Sequence, residues 1–229
     1  MARGRRRVTD DPRRARAHLP DRLLRDGPRS LSDAELVAVL LHSSCRGGSA
    51  SDLANALLND LGGLAGLGEV DGHLLDQQGV GPVRAAILLA ARELAARFGR
   101  ARLIGREVLD RPDAVASYVA LRYSQADQEV LGVLFLDRRH RLITEHELYR
   151  GALTYITVEP RQVLKAALRH NAASIVLFHN HPSGDPTPSD EDIAFTRRMA
   201  SVCRLVGVKL ADHLVVGGLG RWVSIGGGG

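Results

Sequence analysis

Two histidines and one aspartate, His179, His181 and Asp192, have residue types and a spacing that suit metal chemistry. Imidazole nitrogens and a carboxylate oxygen are ligands that zinc prefers, and a catalytic zinc commonly keeps one coordination position for water. Water in that position becomes a nucleophile at neutral pH, because the metal lowers its pKa. The three residues therefore predict a site for one Zn²⁺ per chain that activates water.

A strand, a loop and a helix would have to bring these side chains together. Residues 174–178 are mostly apolar, branched or aromatic, which indicates a buried strand. Residues two apart on an extended backbone point to the same side, so the two histidines that follow can face one point. Prolines and a glycine at 182–188 exclude a helix and require a turn. Ser189 then heads an amphipathic helix over 193–206, with Asp192 on its first turn.

Asp192 has a second interpretation, because Ser189-x-x-Asp192 is also the pattern of a helix capping box. The two interpretations are compatible, since a cap would hold the Asp192 carboxylate toward the histidines. Asp190 and Glu191 are further candidate ligands by residue type, although they project from other sides of the helix.

The pattern His179-x-His181-Pro182, then six residues, then Ser189-x-x-Asp192 resembles the JAMM signature of the JAB/MPN-domain metalloproteases. That signature requires ten residues between the second histidine and the aspartate, which favours Asp192 over its neighbours. The wording HNHPSGDPTPS resembles the RadC branch of the superfamily, in which an asparagine between the histidines is usual. Further RadC-like segments lie at 136–137, 147–151 and 212–217, and the resemblance covers nearly the whole chain.

The resemblance implies a JAB/MPN fold, a mixed sheet flanked by helices that is similar to the cytidine deaminase fold. It also implies a zinc-dependent hydrolase of peptide or isopeptide bonds, with an unidentified protein or peptide as substrate. Glu129 opens a Glu-x-x-Gly strand segment and matches the family's general base, whereas Glu145, Glu147 and Glu159 compete by residue type alone. Ser189 matches the serine that donates to the developing oxyanion. Asp212 and His213 could orient a ligand imidazole or form an ordinary buried polar pair.

A second motif lies upstream, where residues 74–86 resemble a helix-hairpin-helix. Gly79 and Gly81 would allow the tight turn, and Pro82 suits the first turn of the following helix. Backbone N–H groups at that helix start can bind a DNA phosphate, with Arg84 beside them. The alternative is a structural helical hairpin without a ligand. The motif supports a second function, a DNA-associated repair or binding protein of the RadC type in which the zinc site is structural or secondary.

Composition and charge outline the domains of this 229-residue chain. Its 45% apolar and 25% charged residues are ordinary for a globular protein, and the net charge of +5 permits DNA binding without requiring it. Arginines and prolines at the start predict a basic, disordered arm over 1–29. A helical domain over 30–100 would follow, which Ser32 and Glu35 would open with a capping box and whose last helix would end at Arg97. A JAB/MPN domain over 107–229 would come next, in which 206–211 and 213–216 are two separate strand candidates.

Location is predicted from what the sequence lacks. The chain has no apolar run of eighteen residues, so we expect no membrane span, and no apolar segment follows the basic start at signal-peptide distance. The two cysteines, Cys45 and Cys203, are far apart and indicate a reducing compartment. We therefore expect a cytoplasmic protein.

Overall fold

The computed structural model describes residues 19–41, 49–123, 126–151 and 159–227. These residues form two compact units. The first contains the described residues up to Leu67 together with Gly72–Leu89, and the second contains Gly68–Asp71 together with the residues from Ala90 onward. The predicted class is confirmed, with a helical N-terminal region followed by a mixed sheet between helices. The three predicted domain limits stay predictions.

The N-terminal region is built from helices. They are α1 (Leu19–Asp26), α2 (Asp33–Leu41), α3 (Ala50–Asp60), α4 (Leu64–Gly68), α5 (Gly72–Gln77) and α6 (Pro82–Leu103). The predicted cap of α2 is confirmed, because the Ser32 N–H donates to the Glu35 carboxylate at 2.8 Å and the Glu35 N–H donates to Ser32 Oγ at 3.3 Å.

Two boundaries differ from the sequence-based expectation. The prediction of a disordered arm over 1–29 is wrong for residues 19–26, which form α1. Pro20 lies in the first turn of this helix, where a backbone N–H would have no helical acceptor, so the proline does not break it. Residues 1–18 lie outside the described residues. The helix expected to stop before Phe98 continues to Leu103, because Ala96 and Leu103 are buried and support its last turns.

The second unit carries the sheet. Its elements are α7 (Pro112–Tyr123), β1 (Glu129–Leu136), β2 (Leu142–Gly151), α8 (Pro160–Arg169), β3 (Ser174–Asn180), α9 (Asp190–Leu205), β4 (Lys209–Gly218) and β5 (Arg221–Ser224). The strand order is β2-β1-β3-β4-β5, with β3 and β4 parallel and the other pairs antiparallel. β4 is one strand where the sequence predicted two, because a register shift opposite Ile175 and Val176 absorbs the irregularity before Asp212.

Side-chain alternation divides the core between the two faces of the sheet. One face buries Val130, Leu134, Val176, Phe178 and Leu214 together with Val115 and Val119 of α7. The other buries Leu131, Val133, Ile175 and Leu177 together with Val163 of α8 and Phe195 and Met199 of α9. His179 lies two residues after Leu177 on β3, so its imidazole points to the face that α8 and α9 cover.

Gly132 of β1 pairs with Phe178 of β3, and the aromatic ring lies against its Cα. A Cβ at Gly132 would meet Phe178 Cζ at 2.1 Å, which requires the buried ring or the strand to move. We expect Gly132→Ala to lower the free energy of unfolding by about 1–3 kcal/mol, as overpacked core substitutions do. Urea unfolding, followed by the fluorescence of Trp222, the single tryptophan, measures the free energy of unfolding of the second unit.

The control for that substitution is Gly99→Ala in α6. A Cβ at Gly99 would lie 3.7 Å from Tyr118, an ordinary contact, and alanine is the better helix former. We expect Gly99→Ala to raise the free energy of unfolding by about 0.5–1 kcal/mol. Equal effects of the two substitutions would contradict the packing described for Gly132.

Candidate metal centre

The structure brings together the three residues that the sequence predicted as ligands. His179 Nε2 lies 2.9 Å from His181 Nε2 and 3.1 Å from Asp192 Oδ1, and His181 Nε2 lies 3.7 Å from Asp192 Oδ2. One ligand atom from each residue lies within 4.8 Å of the others. Two imidazoles and one carboxylate at such distances can hold a single metal ion.

Strand pairing and the loop after β3 position the two histidines. His179 is fully buried on β3. His181 follows the strand, where its N–H donates to the Val216 carbonyl at 2.9 Å and Nδ1 lies 2.7 Å from the Asp185 carbonyl. A carbonyl only accepts, so His181 Nδ1 carries a hydrogen, and Nε2 is the ring atom that can serve as a ligand.

Asp192 is at once a helix cap and a member of the metal group. Its Oδ2 accepts from the Ser189 N–H at 2.7 Å and from the Ser189 hydroxyl at 2.6 Å, and its own N–H donates to Ser189 Oγ at 3.1 Å. The capping box is complete, and it leaves Oδ1 facing His179. Asp190 and Glu191 are exposed on the same helical turn. The Ser189 hydroxyl hydrogen is directed at Asp192, and its role as an oxyanion donor stays a prediction.

Burial shifts the pKa values of His179 and Asp192. It holds the pKa of His179 well below its usual value, and His213 and His181 lower that pKa further. Burial also raises the pKa of Asp192, and the negative charge of Glu129 raises it again, against the backbone hydrogen bond from Ser189. A divalent ion would accept the imidazole lone pairs and offset the repulsion between the two carboxylates.

Glu129 lies at the edge of this group. Leu131 of β1 pairs with His179, and the antiparallel register carried two residues further brings Glu129 level with His181. The competing glutamates have other partners. Glu145 accepts from the Tyr118 hydroxyl, Glu147 pairs with Arg150 at 2.9 Å, and Glu159 pairs with Arg161. Of these glutamates, Glu129 is the one that the strand register directs toward the candidate ligands and whose charge raises the pKa of Asp192.

Asn180 makes contacts that the sequence pattern did not predict. Its side chain is buried, and its Oδ1 accepts from the Val130 N–H at 2.7 Å while its Nδ2 donates to the Gln128 carbonyl at 3.4 Å. These backbone groups belong to the residues on either side of Glu129. Asn180 therefore ties the start of β1 to the end of β3 and fixes the position of Glu129. Its place between the histidines was the only sequence signal.

The pair Asp212 and His213 separates into two roles. His213 Nε2 lies 2.9 Å from His179 Nδ1, whereas Asp212 accepts from the Ser224 hydroxyl at 2.6 Å and from the Gly226 N–H at 3.2 Å. His213 thus supports a candidate ligand, and Asp212 anchors the chain after β5. Burial lowers the pKa of His213 to about 3, and the nearby His181 lowers it as well.

The residues predicted to contact DNA belong to the first unit. Gly79 and Gly81 connect α5 to α6 with positive φ angles of 69° and 77°, a backbone that favours glycine. Pro82 begins α6 and is exposed, and Arg84 on its first turn is half-buried. The helix-hairpin-helix motif and its DNA contacts stay predictions.

Comparison with known protein families shows to which family the chain belongs. A family model described as "RadC-like JAB domain" matches residues 109–228, and one described as "UPF0758 N-terminal" matches residues 14–86. This chain belongs to the RadC-like JAB domain family. UPF0758 proteins of Azotobacter vinelandii and Leptothrix cholodnii are 43% and 44% identical to it over 198 residues. These matches cover 86% of this chain and 88% and 89% of the two relatives.

Membership in the RadC-like JAB family confirms the resemblance carried by the histidine and aspartate spacing. The group of His179, His181 and Asp192 fits the JAMM motif and could hold a metal. Among the residues that the structure describes, none of the helices combines the length and the hydropathy that a membrane span requires.

The convergence of three ligands predicts about one bound zinc per chain. We expect elemental analysis of the purified protein to show this content in the wild type and a loss of nearly all zinc from the double variant His181→Ala, Asp192→Ala. The matched control is His73→Ala, Glu191→Ala, two exposed residues outside the group, which should keep the metal. Equal zinc in the wild type and the first variant would contradict the site.

Proposed function

We propose that this RadC-like chain is a zinc-dependent hydrolase that cleaves peptide or isopeptide bonds in a protein or peptide substrate. The observation that carries the proposal is the convergence of His179, His181 and Asp192, with the charge of Glu129 acting on the same carboxylate. The JAB domain family includes metalloisopeptidases, which supports this class of reaction. Two nitrogen ligands and one oxygen ligand favour zinc over the harder Mg²⁺ and Ca²⁺.

The two histidines and Asp192 would hold the metal, which when bound polarises a carbonyl and lowers the pKa of water. Glu129 would accept the proton of the attacking water and pass it to the leaving amine, as a general base that then acts as an acid. Asn180 holds Glu129 at the strand end, so the base does not depend on a mobile loop. Ser189 would donate a hydrogen bond to the oxyanion once its hydroxyl turns from Asp192.

Glu129→Gln separates the base from the ligands. We expect this variant to keep its zinc and its stability and to lose about 10²–10⁴-fold in hydrolysis, the usual contribution of a general base. The assay follows new amines released from a mixed peptide library by zinc-loaded protein. Glu147→Gln, an exposed residue paired with Arg150, is the matched control and should remain active.

Two results would count against this assignment. Loss of zinc from Glu129→Gln would make Glu129 a ligand and not the base. An absence of new amines with the zinc-loaded wild type would argue against hydrolysis and favour a zinc site that is structural.

The connection between α5 and α6 supports a second function, binding to duplex DNA. Gly79 and Gly81 have positive φ angles and directly precede the exposed start of α6 at Pro82. The free N–H groups of such a start, together with the helix dipole, attract a phosphate oxygen. Contacts of this kind read no base edges, so the binding would be independent of sequence.

We expect the full chain to bind a fluorescent duplex weakly at low salt and to lose affinity steeply as salt rises, because phosphate contacts release counterions. Arg84→Glu should weaken binding to every sequence equally, whereas Arg198→Glu on the exposed side of α9 should have little effect. A variant without residues 1–16 reports the contribution of the basic arm. Fluorescence anisotropy that shows no binding, or equal losses for the two charge reversals, would assign the hairpin to packing alone.

A further inference from the structure

A chain of three hydrogen bonds runs from one candidate ligand to the backbone of another. His179 Nδ1 lies 2.9 Å from His213 Nε2, and His213 Nδ1 lies 2.6 Å from Thr196 Oγ1. The Thr196 hydroxyl in turn lies 2.6 Å from the Asp192 carbonyl oxygen. His179 and His213 are fully buried and Thr196 is 3% exposed, so water does not compete for these bonds.

The position of each hydrogen in this series of hydrogen bonds follows from its last acceptor, the Asp192 carbonyl oxygen. The Asp192 carbonyl can only accept, so the single hydroxyl hydrogen of Thr196 is donated to it. Thr196 Oγ1 must then accept from His213, which places a hydrogen on His213 Nδ1. Complete burial disfavours a charged imidazole, so His213 is neutral and its Nε2 accepts from His179. His179 therefore carries its hydrogen on Nδ1 and has a lone pair on Nε2.

We propose that Thr196 and His213 are positioning residues that set the tautomer and ring orientation of His179, so that Nε2 is presented to a metal ion. The proposal rests on the metal site of the proposed function, and it extends that site to residues outside the histidine and aspartate signature. A ligating histidine commonly donates its other N–H to a partner, and here that partner is itself oriented by a hydroxyl.

The same series of hydrogen bonds connects the strands and the helix that carry the candidate ligands. His179 lies on β3, His213 on β4 and Thr196 on α9, one helical turn after Asp192. Because Thr196 bonds the Asp192 carbonyl, the first turn of α9 and the ring of His179 cannot shift independently. With His181 Nε2 and Asp192 Oδ1 as acceptors, the lone pair of His179 completes three acceptors around one point. A cation is the species that stabilises such a set.

The test compares Thr196→Val, which keeps the side-chain shape and removes the hydroxyl, with Thr196→Ser, which keeps the hydroxyl. Long-range ¹H–¹⁵N spectra of the full-length, metal-free protein report the tautomer of each histidine, and His179→Gln assigns the relevant signals. We expect wild type and Thr196→Ser to show His179 with hydrogen on Nδ1. In Thr196→Val the Nδ1 hydrogen of His213 has no acceptor, so His213 should move its hydrogen to Nε2 and His179 should follow.

A second measurement uses Co²⁺ as a coloured substitute for zinc. Its visible absorption spectrum on titration should show an affinity about 10–100-fold weaker for Thr196→Val than for wild type, as expected when the partner of a ligating histidine is lost. Thr196→Ser should restore the wild-type affinity. A purely structural role for Thr196 would lower stability without moving the tautomer signals.

The outcomes separate this inference from the proposed function. A wild-type spectrum with the His179 hydrogen on Nε2 overturns the inference, whatever the folding of the variants. Unchanged tautomers and Co²⁺ affinity in a folded Thr196→Val also overturn it. Because the tautomer is read in metal-free protein without any assay of hydrolysis, an inactive enzyme would reject the proposed function and leave this result standing.

Discussion

Three electron-pair donors converge at the end of β3, and the rest of the second unit has to hold them against their mutual repulsion. His179, His181 and Asp192 present a nitrogen, a nitrogen and an oxygen to one point at distances of 2.9 and 3.1 Å from His179 Nε2. Such an arrangement costs free energy unless a cation occupies its centre, because desolvated lone pairs repel each other. The contacts around the site are best understood as responses to this constraint.

Each donor is restrained by a different part of the fold. The His179 ring is backed by His213, His181 is bonded to the loop carbonyl of Asp185, and the Asp192 carboxylate is locked by the cap at Ser189. These partners come from a neighbouring parallel strand, a proline-containing loop and a helix N-terminus. Because each restraint fixes a different ring or carboxylate, the geometry does not rely on any single flexible side chain.

The position of Glu129, the proposed general base, depends on the same strand end. Asn180 bonds the backbone on both sides of Glu129, and the Gly132–Phe178 contact lets β1 approach β3 closely. The Glu-x-x-Gly segment therefore has a packing reason for its glycine as well as a chemical reason for its glutamate. The first unit is organised around its own helices, so the DNA contact proposed there and the hydrolysis proposed for the second unit use different residues.

Much of the site could be predicted from the sequence, because it depends on short-range geometry. Alternation on a strand puts His179 and His181 on one side, prolines force the loop, and Ser189-x-x-Asp192 caps a helix; each relation spans only a few residues. The resemblance to the JAMM signature then added Glu129. Helix α1 and the continuous β4 were mispredicted, because Pro20 was taken as a helix breaker and Asp212 as the break between two strands.

Only the tertiary structure decided which distant residues support the site. Thr196 and His213 are far from His179 in sequence, and their residue types are ordinary for buried polar positions. Their proposed role depends on the parallel pairing of β3 with β4 and on how α9 packs over that face, which no local pattern encodes. The same holds for Asn180, whose partners on β1 are defined by strand register. Local spacing thus determined the candidate ligands, whereas long-range packing determined which residues contact them.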